Sequence, residues 1–103
     1  MRILLVFILL LFGAFAVQAQ TVPAPVKKVL DKYACGSCHV MDKRMVGPSW
    51  KELAARKYSA RKMAKLIRSP KPENWPNFPP MAPITGISDA EVKVVADWLA
   101  KID

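Results

Sequence analysis

The chain holds two cysteines, one histidine and four glycines in 103 residues, and each scarcity removes a class of chemistry. A structural zinc site takes four Cys or His ligands, more than the sequence can offer. Two cysteines also cannot build the framework of several disulfides that small exported domains commonly use. A thioredoxin-like pair needs a βαβ setting, and no strand pattern stands out in the sequence. There is no glycine-rich phosphate loop, no Ser-His-Asp set and no internal repeat. Acidic residues are scarce as well, 8 against 16 Lys plus Arg, for a formal net charge of +8 at pH 7. A balance this basic favours acidic or anionic partners.

What the chain does have is concentrated. Both cysteines and the histidine fall in one stretch, Cys35-Gly36-Ser37-Cys38-His39. C-x-x-C-H is the attachment signature for c-type haem. If the stretch is helical, Cys35 and Cys38 share a face and His39 lies four beyond Cys35. Two thiols and an imidazole can then meet one edge and one face of a flat porphyrin. The thiols anchor it and the imidazole binds iron. A disulfide beside an incidental histidine does not explain why the single histidine follows the second cysteine directly.

Behind Met1-Arg2, an almost unbroken apolar run from Ile3 to Val17 ends in Val17-Gln18-Ala19, with small residues at the two positions a signal peptidase inspects. Such a run rises about 22 Å as a helix, against a hydrocarbon core of about 30 Å. Residues 1–19 therefore read as a secretory signal cleaved after Ala19, and residues 20–103 as one small domain. No cysteine follows the run to carry a lipid. The expected location is the periplasm, as a soluble monomer that meets the membrane only transiently if the signal stays attached. Nucleic acid is not a normal partner there, so an acidic face on another protein suits the charge better. A domain this small has difficulty stabilising itself by apolar burial alone, which makes haem a part of the core.

From Val26 the apolar residues fall at 26, 29, 30 and 33, predicting a helix from about Pro25 into the C-x-x-C-H stretch. Tyr33 reads as packing. Val40 to Pro48 has no sustained period and ends in Gly-Pro, hence a loop. Ser49-Trp50-Lys51-Glu52 is a capping box opening a helix to about Arg56 or Lys57. Ser59 caps another, with Met63, Leu66 and Ile67 inside and Ser69-Pro70 at its end. Six of the nine prolines lie between Pro70 and Pro83, which excludes helix and inner strand. Trp75, Phe78, Met81 and Ile84 make that segment too apolar for a solvated linker, so it reads as a rigid loop wrapped on something apolar. Ser88-Asp89-Ala90-Glu91 is a second capping box, and Val92, Val95, Trp98, Leu99 and Ile102 give the last helix a broad apolar face, expected to pack on the first. The fold class is all-α, about four short helices round a haem.

A single imidazole leaves a sixth position on iron, and what fills it separates electron transfer from chemistry. With no second histidine the candidates are methionines. Met41 stands two residues from His39, a reach of at most ~7 Å, too short to pass round a porphyrin edge. Met45 reaches only with the chain tightly wrapped, and Met63 belongs to a helix face. Met81, between Pro79-Pro80 and Pro83, is held with little entropy to lose on ligation. His39 and Met81 are thus the expected iron ligands.

These stretches, together with Met45-Val46-Gly47-Pro48, Pro80-Met81 with Pro83, and Ala96-Asp97-Trp98-Leu99, closely resemble the short bacterial class I cytochromes c of the cytochrome c-551 group. The resemblance covers nearly all of residues 20–103. It implies thioethers at Cys35 and Cys38, axial ligands at His39 and Met81, and a bond from the other His39 N–H to the Pro48 carbonyl. Trp75 matches a tryptophan that binds a haem propionate in the family, although it stands one residue further from the ligand methionine. Met81-Ala82-Pro83 replaces the family's Met-Pro-Pro. Lys65 and Arg68 match a propionate-binding arginine by position only. The implied function is a periplasmic one-electron shuttle carrying one haem c, not an enzyme. Its low-polarity pocket is expected from Val46, Leu66, Phe78, Ile84 and Trp98. Implied partners are a respiratory donor and a terminal oxidase or nitrite reductase type acceptor with acidic docking faces. The alternatives are a haem sensor or peroxidase-like enzyme with an open sixth site, and a small subunit of one respiratory complex.

Overall fold

The computed structural model describes residues 21–103; the run read as a signal lies outside them. Among the described residues there are four α-helices and no strand, in agreement with the all-α expectation. They are α1 (Ala24–Lys32), α2 (Trp50–Ala55), α3 (Ala60–Arg68) and α4 (Asp89–Leu99), with 3-10 turns at Cys35–Ser37 and Pro72–Asn74. None is long and apolar enough to cross a membrane.

Helix α1 buries Val26, Val29 and Leu30, the expected stripe, but it stops short of the cysteines. Ala34 takes a left-handed backbone, φ 54°, and the C-x-x-C-H stretch begins a separate 3-10 turn. This corrects the expected continuous helix. The consequence for chemistry is favourable, since residues three apart eclipse one another in a 3-10 turn and the two cysteines still share a side.

The hydroxyls read as caps all accept backbone N–H groups. Ser49 Oγ accepts from Glu52 at 3.1 Å and the Glu52 carboxylate accepts from Ser49 N at 2.9 Å. Ser88 and Glu91 repeat the exchange at 3.1 Å in both directions, and Ser59 Oγ accepts from Lys62 N at 3.1 Å. Each bond satisfies a donor that the first helical turn would otherwise leave open. Lys57, at φ 53°, turns the chain after α2.

Helix α4 is the centre of the core. It buries Val92, Val95, Ala96, Trp98 and Leu99, with Val92 fully enclosed, and it packs on α3 as well as on α1, with a smaller contact to α2. Polar clamps fix its start. Tyr33 Oη donates to Glu91 Oε1 at 2.7 Å, Lys32 Nζ pairs with Glu91 Oε2 at 2.9 Å, and Arg68 donates to Ile87 O at 2.8 Å and Asp89 at 2.7 Å. Tyr33 is therefore a packing residue that also joins α1 to α4. Arg68 is engaged by Ile87 and Asp89, and Lys65 is exposed.

Candidate functional site

The 3-10 turn is closed by Cys38 N donating to Cys35 O at 3.2 Å, and His39 N donates to the same carbonyl at 3.0 Å. Cys35 and Cys38 are half-buried and unbridged. Burial, and secondarily the neighbouring Cys38, pushes the Cys35 thiol above its ordinary range, while a backbone hydrogen bond opposes the shift.

The loop after His39 folds back over it. Gly47 N donates to Cys38 O at 3.0 Å, Trp50 N to Val40 O at 2.8 Å and Lys51 N to Met41 O at 3.1 Å. This return brings the Pro48 carbonyl to 2.7 Å from His39 Nδ1, which donates to it. One tautomer and one ring orientation are thereby favoured, and Nε2 is the nitrogen left for a metal. Gly47 passes so close that no side chain fits between it and the ring. Behind the imidazole, Trp50 lies 5.0 Å from it at 39°, and Trp98 meets Trp50 edge-on at 5.5 Å and 70°.

A cavity of about 480 Å³ opens in front of this wall. Leu66 and Ile67 of α3 form one side. The proline-rich loop, with Trp75, Phe78, Pro79, Pro80 and Met81, forms another. Ile84 N donating to Ile67 O at 3.0 Å pins the far end of that loop to α3. Cys35, Cys38, His39, Pro48, Trp75 and Met81, the six residues expected to touch haem, all line this one cavity. Met81 is partly exposed there, at 38%. Met63 is buried on the inner side of α3, a core position that also reaches the cavity.

Of the expected pocket residues, Val46, Leu66, Phe78 and Ile84 line it and Trp98 does not. Trp98 is buried one layer back, against Trp50, while Val95 and Leu99 of the same helix are the α4 residues that reach the cavity. Sequence reasoning missed Lys71, which does line the cavity, and Gly47, whose lack of a side chain admits the imidazole. Gly47 had a visible signal, the Gly-Pro after the motif, but the Gly-Pro marked only a loop. The donor set present is two thiols, one imidazole and one thioether around a mostly hydrocarbon space. It fits a covalently held haem, and among the described residues no three His, Cys, Asp or Glu side chains converge to hold a metal ion by themselves.

The sequence model of the cytochrome c family matches residues 23–103. The chain belongs to the cytochrome c family. Cytochrome c-551 of Azotobacter vinelandii is 37% identical over 70 residues, covering 63% of this chain and 82% of its own length. Cytochrome c-552 of Nitrosomonas europaea is 34% identical over 95 residues, covering 84% of this chain and 90% of its own. The crystal structure of wild-type Nitrosomonas europaea cytochrome c552 superposes with TM-score 0.64 at 30% identity, over 75% of this chain and 99% of that one. The protein is thus a class I c-type cytochrome of the c-551 group. It carries one covalent haem c, for which Cys35 and Cys38 fit the attachment motif, and its function is haem-based electron transfer.

Proposed function

We propose that this cytochrome is a periplasmic one-electron shuttle in which His39 and Met81 are the axial ligands. The observation that carries the reading is the single apolar cavity that gathers Cys35, Cys38, His39 and Met81 from two separate loops. Haem c supplies the one-electron exchange between ferric and ferrous iron. His39 is oriented by its bond to Pro48, so its free nitrogen is presented in one direction. Met81 offers a soft thioether, which together with the apolar lining from Val46, Leu66, Phe78 and Ile84 favours the ferrous state and raises the potential. Two protein ligands leave no position for a substrate, which supports a carrier rather than an enzyme or gas sensor.

The net positive charge supports partners with acidic faces, a respiratory complex as donor and a terminal oxidase or nitrite reductase type protein as acceptor, met by a monomer. The apolar run ending in Val17-Gln18-Ala19 supports export with cleavage after Ala19. One preparation tests the whole reading. Protein from the soluble periplasmic fraction has an intact mass that begins at Gln20 and retains haem in acid, and its ferric spectrum shows the weak near-infrared band of sulfur-to-iron charge transfer. A high-spin ferric spectrum with ready carbon monoxide binding would overturn the electron-shuttle reading.

A further inference from the structure

Two arginines outside the cavity hold the aromatic rings that wall it. The Arg44 guanidinium lies over the Phe78 ring at 4.4 Å, and that of Arg56 over the Trp75 ring at 4.0 Å. The two rings meet edge to face, with centroids 6.1 Å apart at 76°. Guanidinium, phenyl, indole and guanidinium therefore form one continuous row. Both of its ends return to helix α2. Arg44 Nε stands 3.4 Å from Glu52 Oε1, in the capping box of that helix. Arg56 is the C-terminal cap residue of the same helix and donates to Asn74 O at 2.9 Å.

The segment gripped in this way has little else to hold it in register. Pro72, Pro76, Pro79 and Pro80 have no N–H to donate. Its own backbone bonds are local, Asn74 N to Lys71 O, Trp75 N to Pro72 O and Phe78 N to Trp75 O. The next backbone bond to another element is Ile84 N to Ile67 O, beyond Met81. Among the described residues, the one hydrogen bond from the rest of the fold to the segment between Lys71 and Ile84 comes from Arg56.

We propose that Arg44 and Arg56 are positioning residues, which clamp residues 72–80 to α2 and so determine how firmly Met81 is held at its place on the cavity. Arg44 belongs to the loop that folds over His39, so the clamp refers both ligand-bearing loops to one helix. A planar guanidinium over an aromatic face is attracted by the ring quadrupole and can also stack flat on it, which an ammonium cannot. The inference rests on Met81 being the sixth ligand.

Imidazole binding to the ferric holoprotein tests it, because added imidazole competes for iron only when Met81 lets go. Arg44→Gln and Arg56→Gln are each expected to raise imidazole affinity about two- to fivefold, the population change expected from losing one exposed cation–π contact. Helix content and haem retention stay at parent values. Phe78→Leu, which removes the ring face under Arg44 and also the edge contact with Trp75, is expected to raise the affinity at least as much as Arg44→Gln. Adding Arg44→Gln to Phe78→Leu raises the affinity by less than Arg44→Gln does alone, since the contact the two share is already lost. Unchanged affinity in the arginine variants, or additive effects in the double variant, overturns the clamp. A parent that lacks the sulfur-to-iron band overturns the Met81 reading and the clamp with it, while a parent with the band and unresponsive variants overturns the clamp alone.

Discussion

Gly47 lies against the His39 ring so closely that a Cβ added to it would stand 2.6 Å from Cε1 and 2.9 Å from Nδ1. The backbone here must yield its side chain so that the imidazole can reach the Pro48 carbonyl. Gly47→Ala is therefore expected to displace the ring or the loop, at a cost of about 1–3 kcal/mol, the usual range for overpacking. The guanidinium midpoint should fall and the ferric spectrum should shift. Gly36→Ala is the control, since a Cβ there meets nothing within 4 Å. Equal behaviour of the two variants would remove the steric argument.

Met81 and Met63 both touch the cavity, and substitution separates their roles. Met81→Ala is expected to move the ferric spectrum toward high spin, abolish the near-infrared band and lower the potential, each ~59 mV being a tenfold change for one electron. Weak peroxidase activity should appear with it. Met63→Leu conserves volume, so it should cost less than ~1.5 kcal/mol and leave the band in place. Loss of the band in Met63→Leu but not in Met81→Ala would exchange the assignment.

Glu91 is the group whose ionisation links α1 to α4. Hydrogen bonds from Tyr33 first, then Lys32, then the Ser88 backbone, lower its carboxyl from an ordinary 4.5 to about 2. A carboxyl depressed in the folded state stabilises the protein above its unfolded value and ceases to do so as pH falls through the folded one. Stability should thus decline between about pH 4.5 and pH 2. Tyr33→Phe removes the largest cause, so the decline should be smaller and should end at a higher pH, and Glu91→Gln should flatten it. Thermal unfolding across this range checks both, and parallel curves for parent and Glu91→Gln would exclude the linkage.

The basic run from Arg56 to Lys71 is divided by the fold. Arg56 is taken up by Trp75 and Asn74, and Arg68 by Ile87 and Asp89. Lys57, Arg61, Lys62, Lys65 and Lys71 remain exposed, with no ion pair among the described residues. Steering by these five should make electron transfer to an acidic redox protein slow as salt rises, with a Debye length of ~8 Å at physiological ionic strength. Lys62→Gln with Lys65→Gln should reduce both the rate at low salt and its salt dependence. A salt-independent rate in the parent would take this surface out of the mechanism.

The sequence by itself determined the chemistry and most of the elements. Cysteines and a histidine at C-x-x-C-H spacing specify a covalent haem through local geometry alone. The capping boxes at Ser49 and Ser88 set helix starts by bonds that span three residues, so a linear reading finds them. The proline-rich stretch announced a loop, and the scarcity of histidine left methionines as the candidates for a second ligand. Other features depend on contacts between residues far apart in the chain, and only the tertiary structure decided them. A helical period cannot show that Ala34 turns left-handed and ends α1 before the cysteines. Apolar patterning gives a buried face but not its neighbour, which is why Trp98 reads as pocket and proves to lie behind Trp50. The run of basic residues looks uniform until the fold engages Arg56 and Arg68 and leaves five others to solvent. Gly47 is scarcely informative as a letter. Its meaning came when the loop closed over His39 and left no space for a side chain.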